Sequence, residues 1–216
     1  MTPHVIEARG IVKVHAGDGV TIAAPSPTDL ALHAGELVAV TGAAQSGKTT
    51  LVNLLAGWET PDRGTISWRG RPVPPGWPQL TVIPQALALL DELTVTENVT
   101  LPARGRRSAA PATAVDELLE RLGLQRLGDR STGEISVGER QRVMVARAVA
   151  SRPDILLADE PTAHQDDRHA RLVLDLLGET AASGALCLVA THDAATAARA
   201  DRGIRLPAAT TTAAER

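Results

Sequence analysis

Gly42, Ala43, Ala44, Gln45, Ser46, Gly47, Lys48 and Thr49 follow one another in the pattern G-x-x-x-x-G-K-[ST]. Glycines let successive backbone N–H groups turn inward around phosphate oxygens, and a helix starting there adds its positive end. In such a loop Lys48 reaches the outer phosphates of a nucleoside triphosphate, the Thr49 hydroxyl is a Mg2+ ligand, and Thr50 extends the cradle. Far along the chain, Ile155-Leu-Leu-Ala-Asp159-Glu160 is an apolar run ending in two carboxylates. Asp159 suits the Mg2+ shell, and Glu160 suits accepting a proton from an attacking water. Lys13 and Lys48 are the only lysines, and neither lies in an Asn-Lys-x-Asp guanine reader. The expected nucleophile is therefore water, and the expected reaction NTP hydrolysis.

These groups need strands that end beside one another. Leu37-Val-Ala-Val40, just before the phosphate loop, is short and continuously apolar, as expected of a strand covered on both faces. Ile155–Ala158 and Leu186–Ala190 are of the same kind, with a helical stretch from about Asp167 to Thr180 between them. Thr49–Ala56 is expected to be the helix after the loop. Such alternation predicts an α/β fold with a mostly parallel sheet and right-handed crossovers. The N-terminal third reads as strands and turns, from Val5–Val14 to a hairpin around Thr65–Trp68. Thr94 with Glu97 and Ser136 with Glu139 match helix capping boxes. Val115, Leu118, Leu119 and Leu122 recur at helical spacing. Roughly 86–150 is expected to be an inserted helical subdomain, with Pro102–Pro111 an exposed loop. One domain is expected over 1–206, and a disordered tail over 207–216.

Composition narrows the class. The 216 residues are 44% hydrophobic and 22% charged, which suits one α/β domain and argues against disorder. A net charge of −3 argues against a nucleic-acid partner held by bulk charge. A single cysteine, Cys187, excludes an internal disulfide framework and fits a reducing compartment. No apolar run approaches the roughly 18–20 residues of a membrane span, and the first residues carry no secretory pattern. The expected location is cytoplasmic.

With these motifs in this order, the chain resembles the ATP-binding cassette ATPases from about residue 5 to 206. The resemblance implies the P-loop NTPase fold of that family, with an N-terminal antiparallel β subdomain, and ATP with Mg2+ as ligands. Gln85 in Val82-Ile-Pro-Gln85 looks like the loop glutamine that contacts Mg2+ or water. Ile135-Ser-Val-Gly-Glu-Arg-Gln-Arg-Val143 resembles the signature sequence, which implies that Ser136, Gly138 and Glu139 contact nucleotide. Asp166 matches the D-loop, and His192 resembles the switch histidine at the γ-phosphate. In that family each signature closes on the other subunit's nucleotide, so a homodimer or a heterodimer with another cassette is implied. A separate transmembrane permease is implied as well, at the inner face of the cell membrane, with Ala86–Glu97 the surface that touches it. Leu93–Pro102 and Leu156–Thr162 look most similar to lipoprotein-release, macrolide-efflux and cell-division ATPases, which pair with FtsX-type permeases.

Several positions depart from the family pattern. Val137 replaces a signature glycine, Arg140 follows Glu139, and His164 and Gln165 are unusual for a D-loop. With neither Phe nor Tyr in the chain, His15 is the candidate to face the adenine. These departures motivate the alternative of an ATP-gated regulatory or scaffolding module with little hydrolysis.

Overall fold

A computed structural model describes residues 4–17, 20–101 and 112–213. The loop expected over Pro102–Pro111 lies outside them. The chain begins with β1 (His4–Val12), β2 (Val14–Gly17), β3 (Val20–Ala23), β4 (Thr28–His33) and β5 (Leu37–Thr41). Helix α1 (Lys48–Ala56), β6 (Arg63–Trp68) and β7 (Leu80–Ile83) follow. Then come three helices, α2 (Val95–Thr100), α3 (Ala112–Arg121) and α4 (Val137–Ala150). The remainder is β8 (Ile155–Asp159), α5 (Asp167–Ala182), β9 (Leu186–Ala190), α6 (Ala194–Ala197), β10 (Arg202–Arg205) and β11 (Thr210–Ala213).

The central sheet has the order β10-β5-β9-β8-β7, and all its pairings are parallel. Its inner strands β5, β9 and β8 are almost continuously apolar because successive side chains enter different cores, whereas the edge strand β10 alternates half-buried with exposed residues. Val38, Val40, Leu157 and Leu188 pack with Leu51, Leu54 and Leu55 of α1. Leu37, Leu156, Cys187 and Val189 face the other way, toward Val143 of α4 and Val173 and Leu177 of α5. Burial there pushes the Cys187 thiol up to about 12, so it stays an inert protonated thiol. Since β5, β7, β8 and β9 are parallel, the segments after all four emerge along one edge of the sheet.

An antiparallel sheet of order β4-β1-β6 covers the far side of α1. Here the structure corrects the hairpin expected around Thr65–Trp68. The turn at Arg69–Gly70 forms, closed by an isolated Trp68–Arg71 bridge, but β6 pairs along its length with β1. Burial explains the choice: pairing with β1 places Ile66 and Trp68 in the core, which a local hairpin would leave wet.

The expected disordered tail is corrected too. Thr210–Ala213 forms β11, antiparallel to β3 beside β2, and residues 214–216 lie outside the described ones. Three consecutive threonines favour extended backbone, and β3 offers an unpaired edge. The Ser26 hydroxyl donates to the Ala208 carbonyl at 3.1 Å, anchoring the approach. Among the described residues, no helix is long and apolar enough to cross a membrane.

Candidate active site

Helix α1 begins at Gly47, whose φ of +91° puts it in the left-handed region, and no side chain caps it. A Cβ at Gly47 would lie 2.6 Å from backbone atoms of Ala24 and Pro25, so both conformation and space demand glycine. At Gly42 a Cβ would lie 2.4 Å from Ser46 Oγ. Lys48 Nζ donates to the carbonyls of Gly42 and Ala43 at 3.0 and 3.1 Å, which folds the lysine back over its own loop. The first turn of α1 holds no acidic residue, so its N–H groups and Lys48 form a positive concavity.

That concavity opens into a cleft of about 400 Å³ lined by His15, Ala24, Gln45 to Thr50, Gln85, Asp159 and Glu160. Strand ends deliver the distant members: Gln85 follows β7, and Asp159 ends β8. Gln85 is exposed at the rim. His15 stands on β2, 3.4 Å from the Thr50 hydroxyl through Nε2. Gly42, Ala43 and Ala44 form the start of the loop and do not line the cleft.

Asp159 is 2% exposed, and its Oδ2 is buried without a partner. Burial raises its pKa and Glu160 adds to the rise, against the Thr49 hydroxyl bond and the charge of Lys48. A buried carboxylate oxygen left over beside a hydroxyl fits a hard divalent cation, and Mg2+ takes one or two carboxylates plus substrate phosphates. Ser46 Oγ is buried and partnerless as well, one more polar atom facing the phosphate cradle. The chain's residues therefore fit Mg2+ and a triphosphate.

Glu160 has φ +50°, a left-handed backbone costing about 1–3 kcal/mol that marks functional sites. Its N–H donates to the Ala190 carbonyl at 2.9 Å. Its Oε1 accepts from the His192 N–H at 2.9 Å and from His192 Nδ1 at 2.7 Å, and Oε2 accepts from the Thr191 hydroxyl at 3.1 Å. A carboxylate accepts about four hydrogen bonds. These three donors hold Glu160 rigidly and still leave Oε2 room for a water.

Not every expected residue joins this cleft. His192 reaches it only through Glu160, and its side chain is 77% exposed. Ser136, Gly138 and Glu139 stand apart at the start of α4 and do not line it. Ser136 caps α4: its Oγ accepts from the Glu139 N–H at 3.3 Å, and Glu139 Oε2 accepts from the Ser136 N–H at 2.8 Å. Val137 is 48% exposed and crowds nothing in its own chain. Sequence reasoning missed two contributors. Ala24 walls the cleft against Gly47, a contact that no residue type advertises. Thr191, between two recognised features, orients Glu160, and its place directly before His192 was the available signal.

Comparison with known proteins agrees with this geometry. The family described as ABC transporter matches residues 26–163. Lipoprotein-releasing system ATP-binding protein LolD 1 of Caulobacter vibrioides is 40% identical, across 94% of this chain and 92% of its own length. Macrolide export ATP-binding/permease protein MacB of Rhodopseudomonas palustris is 36% identical across 95% of this chain, which spans 33% of that longer protein. The solved dimeric structure of MJ0796, a bacterial ABC transporter cassette, superposes with a TM-score of 0.83 at 25% identity, covering 98% and 99% of the two chains.

Proposed function

The chain belongs to the ABC transporter family, and from that premise we propose that it is the ATP-hydrolysing subunit of a transporter, one of two cassettes beneath a separate membrane permease. What carries the reading is one cleft that gathers the phosphate loop, Gln85, Asp159 and Glu160. ATP places its phosphates on the open start of α1 and on Lys48. Mg2+ would be held by the Thr49 hydroxyl and the partnerless Asp159 oxygen, with Gln85 at the rim, and would offset phosphate charge. Glu160 orients a water and takes its proton as the water attacks the outer phosphorus, while the bond from that phosphorus to the bridging oxygen breaks and ADP leaves with that oxygen. His192 and Thr191 hold that carboxylate in place.

Ser136, Gly138 and Glu139 lie outside their own chain's cleft. Two cassettes packed head to tail would bring each α4 start onto the other's nucleotide, giving two composite sites. The second cassette is another copy of this chain or a related one. The insertion over roughly 86–150 would carry the closing motion.

The permease reading draws on a second hollow, of about 600 Å³, beside Pro84 and Ala88. Trp58 and Trp77 edge it, each 59% exposed, and Leu101 and Arg147 complete its wall. Exposed tryptophans around an apolar hollow favour a protein partner. An FtsX-type permease suits the resemblance of the Leu93–Pro102 sequence, and would hold the chain at the inner face of the membrane.

The test is light scattering of Glu160→Gln with and without MgATP. Removing the base should trap ATP, and the mass should double on its addition. A chain that binds MgATP and stays monomeric would overturn self-pairing across composite sites.

A further inference from the structure

Two departures from the family pattern, His164 and Gln165, are built into a contact of their own. Gln165 Nε2 donates to the Gly138 carbonyl at 2.8 Å, and Gln165 Oε1 accepts from Arg142 Nη1 at 2.8 Å. One amide thus holds both the first turn of α4 and the next residue along the same helix face. The fit is close: a Cβ on Gly138 would lie 2.8 Å from the His164 carbonyl oxygen. His164 accepts a left-handed φ of +60° to present that carbonyl. Arg142 is 8% exposed, and its Nε has no partner, so the Gln165 bond is a main compensation for burying the guanidinium.

The loop carrying Gln165 begins at the proposed base. The Ala163 N–H donates to the Glu160 carbonyl at 3.0 Å, and the Gln165 N–H to the Thr162 carbonyl at 3.3 Å. The loop's far end is fixed as well. Asp166 caps α5 by accepting from the His169 N–H at 2.8 Å, and His169 Nδ1 lies 2.9 Å from the same oxygen. Rigid turns thus connect Glu160 to Gln165, and a bidentate side chain connects Gln165 to α4.

We propose that Gln165 is a positioning residue that latches the start of α4 to the loop leaving Glu160, so that a chain's own cleft and the α4 start it offers to a second chain keep one relative placement. The proposal rests on the composite-site reading and adds to it a route between the two sites. The latch acts through Gly138 and Arg142, and Gln165 does not line the cleft.

The test places Gln165→Leu, and separately Gln165→Glu, in the full-length Glu160→Gln chain. Leu keeps the bulk and loses both bonds, while Glu keeps an acceptor for Arg142 and loses the donor to Gly138. Three quantities are read: affinity of the monomer for a fluorescent ATP analogue, the MgATP concentration for half-maximal dimerisation, and amide hydrogen exchange over residues 137–142 without nucleotide. Both variants should bind nucleotide within about two-fold of the parent and need about ten-fold more MgATP to dimerise, since two side-chain hydrogen bonds are lost or strained. Exchange over residues 137–142 should quicken. Unchanged exchange together with unchanged dimerisation would overturn the latch, as would a Gln165→Glu chain that dimerises like the parent. If the Gln165 parent itself stays monomeric with nucleotide bound, the composite-site reading falls and the link between sites falls with it. Exchange then still separates a latch that holds α4 within one chain from none at all.

Discussion

Two helices of this chain start at positions of proposed nucleotide contact, and they start in opposite ways. Helix α1 begins at a left-handed glycine with no side-chain cap and no acid in its first turn. Helix α4 begins with a complete capping box and the acid Glu139 in its first turn. Burial works to raise the Glu139 pKa, but the bonds from Ser136 outweigh it with help from Arg142 and Arg130, leaving the group below its ordinary value and ionised. An uncapped helix start leaves its N–H donors for an anion, whereas the capping box of α4 takes up the Glu139 N–H and sets an acid beside the rest. On the proposed reading the α1 start would therefore bind phosphate without help from a second chain. On the same reading the α4 start would contribute only when a second chain brings a phosphate close enough to compete with Glu139, so ATP binding and ATP-dependent pairing would be carried by different helices.

The sharpest way to break that contrast is Lys48→Ala, which removes the cation from the α1 start and leaves α4 untouched. Turnover should fall by about 10²–10³-fold, the usual loss for one group aimed at developing charge, and ATP affinity should fall with it. The fold should persist, because Lys48 bonds only to carbonyls of its own loop. Steady-state kinetics and a thermal melt check both halves. A variant that keeps nucleotide affinity would mean that backbone N–H groups alone hold the phosphates.

Asp159 shows what the cleft costs the empty fold. Burial lifts its folded pKa above the unfolded value, so the group lends stability below its unfolded pKa and withdraws it as pH rises through the folded one. Asp159→Asn should abolish turnover and yet raise the Tm of the nucleotide-free protein at pH 7.5 by a few °C, on the scale of about 1 kcal/mol for a chain this size. At pH 4 the gain should shrink. Equal gains at both pH values would assign the effect to something other than this carboxyl.

The α1 end of this comparison was readable in the sequence because its chemistry is local. Eight adjacent residues specify the loop, and an apolar run on either side specifies strand and helix. Parallel pairing then had to bring Asp159 and Gln85 alongside, since one ends a buried strand and the other follows one. The α4 end was only half legible. The capping box shows in Ser136 and Glu139, but the Gln165 amide on Gly138 joins residues 27 apart, and no local pattern foretells a side chain reaching a carbonyl. The β1–β6 pairing and β11 were missed for a similar reason: local turn and tail composition pointed one way, and burial or an open strand edge decided otherwise.

A smaller effect separates capping from nucleotide contact. Thr94 caps α2 through the same reciprocal pair of bonds with Glu97 that Ser136 makes with Glu139. Thr94→Ala and Ser136→Ala should each cost about 1 kcal/mol of stability, the usual price of such a cap. Only Ser136→Ala should also lower turnover and weaken MgATP-driven pairing, by several-fold. Paired chemical-denaturation curves and ATPase rates decide it. If both variants lose turnover in proportion to stability, the α4 start acts only as structure.

The smallest expected change lies at the far end of the cleft, where the base of the nucleotide would rest. His15 is exposed on β2 and borders the cleft beside Thr50. None of the three tryptophans is available there: Trp58 and Trp77 edge the other hollow, and Trp68 is buried with its indole N–H on the Leu55 carbonyl. A small imidazole offers a base less stacking surface than a phenol ring. His15→Tyr should therefore tighten ATP by about five- to ten-fold, at the low end of the roughly 1–3 kcal/mol range of a base–aromatic stack. CTP should gain less, because a pyrimidine covers less of the ring, and turnover at saturation should not change because the substitution is remote from Glu160. Titrations of both nucleotides against the two chains measure the difference. Equal affinities before and after would place the base elsewhere and leave the phosphates at α1 as nearly the whole of ATP recognition by the single chain.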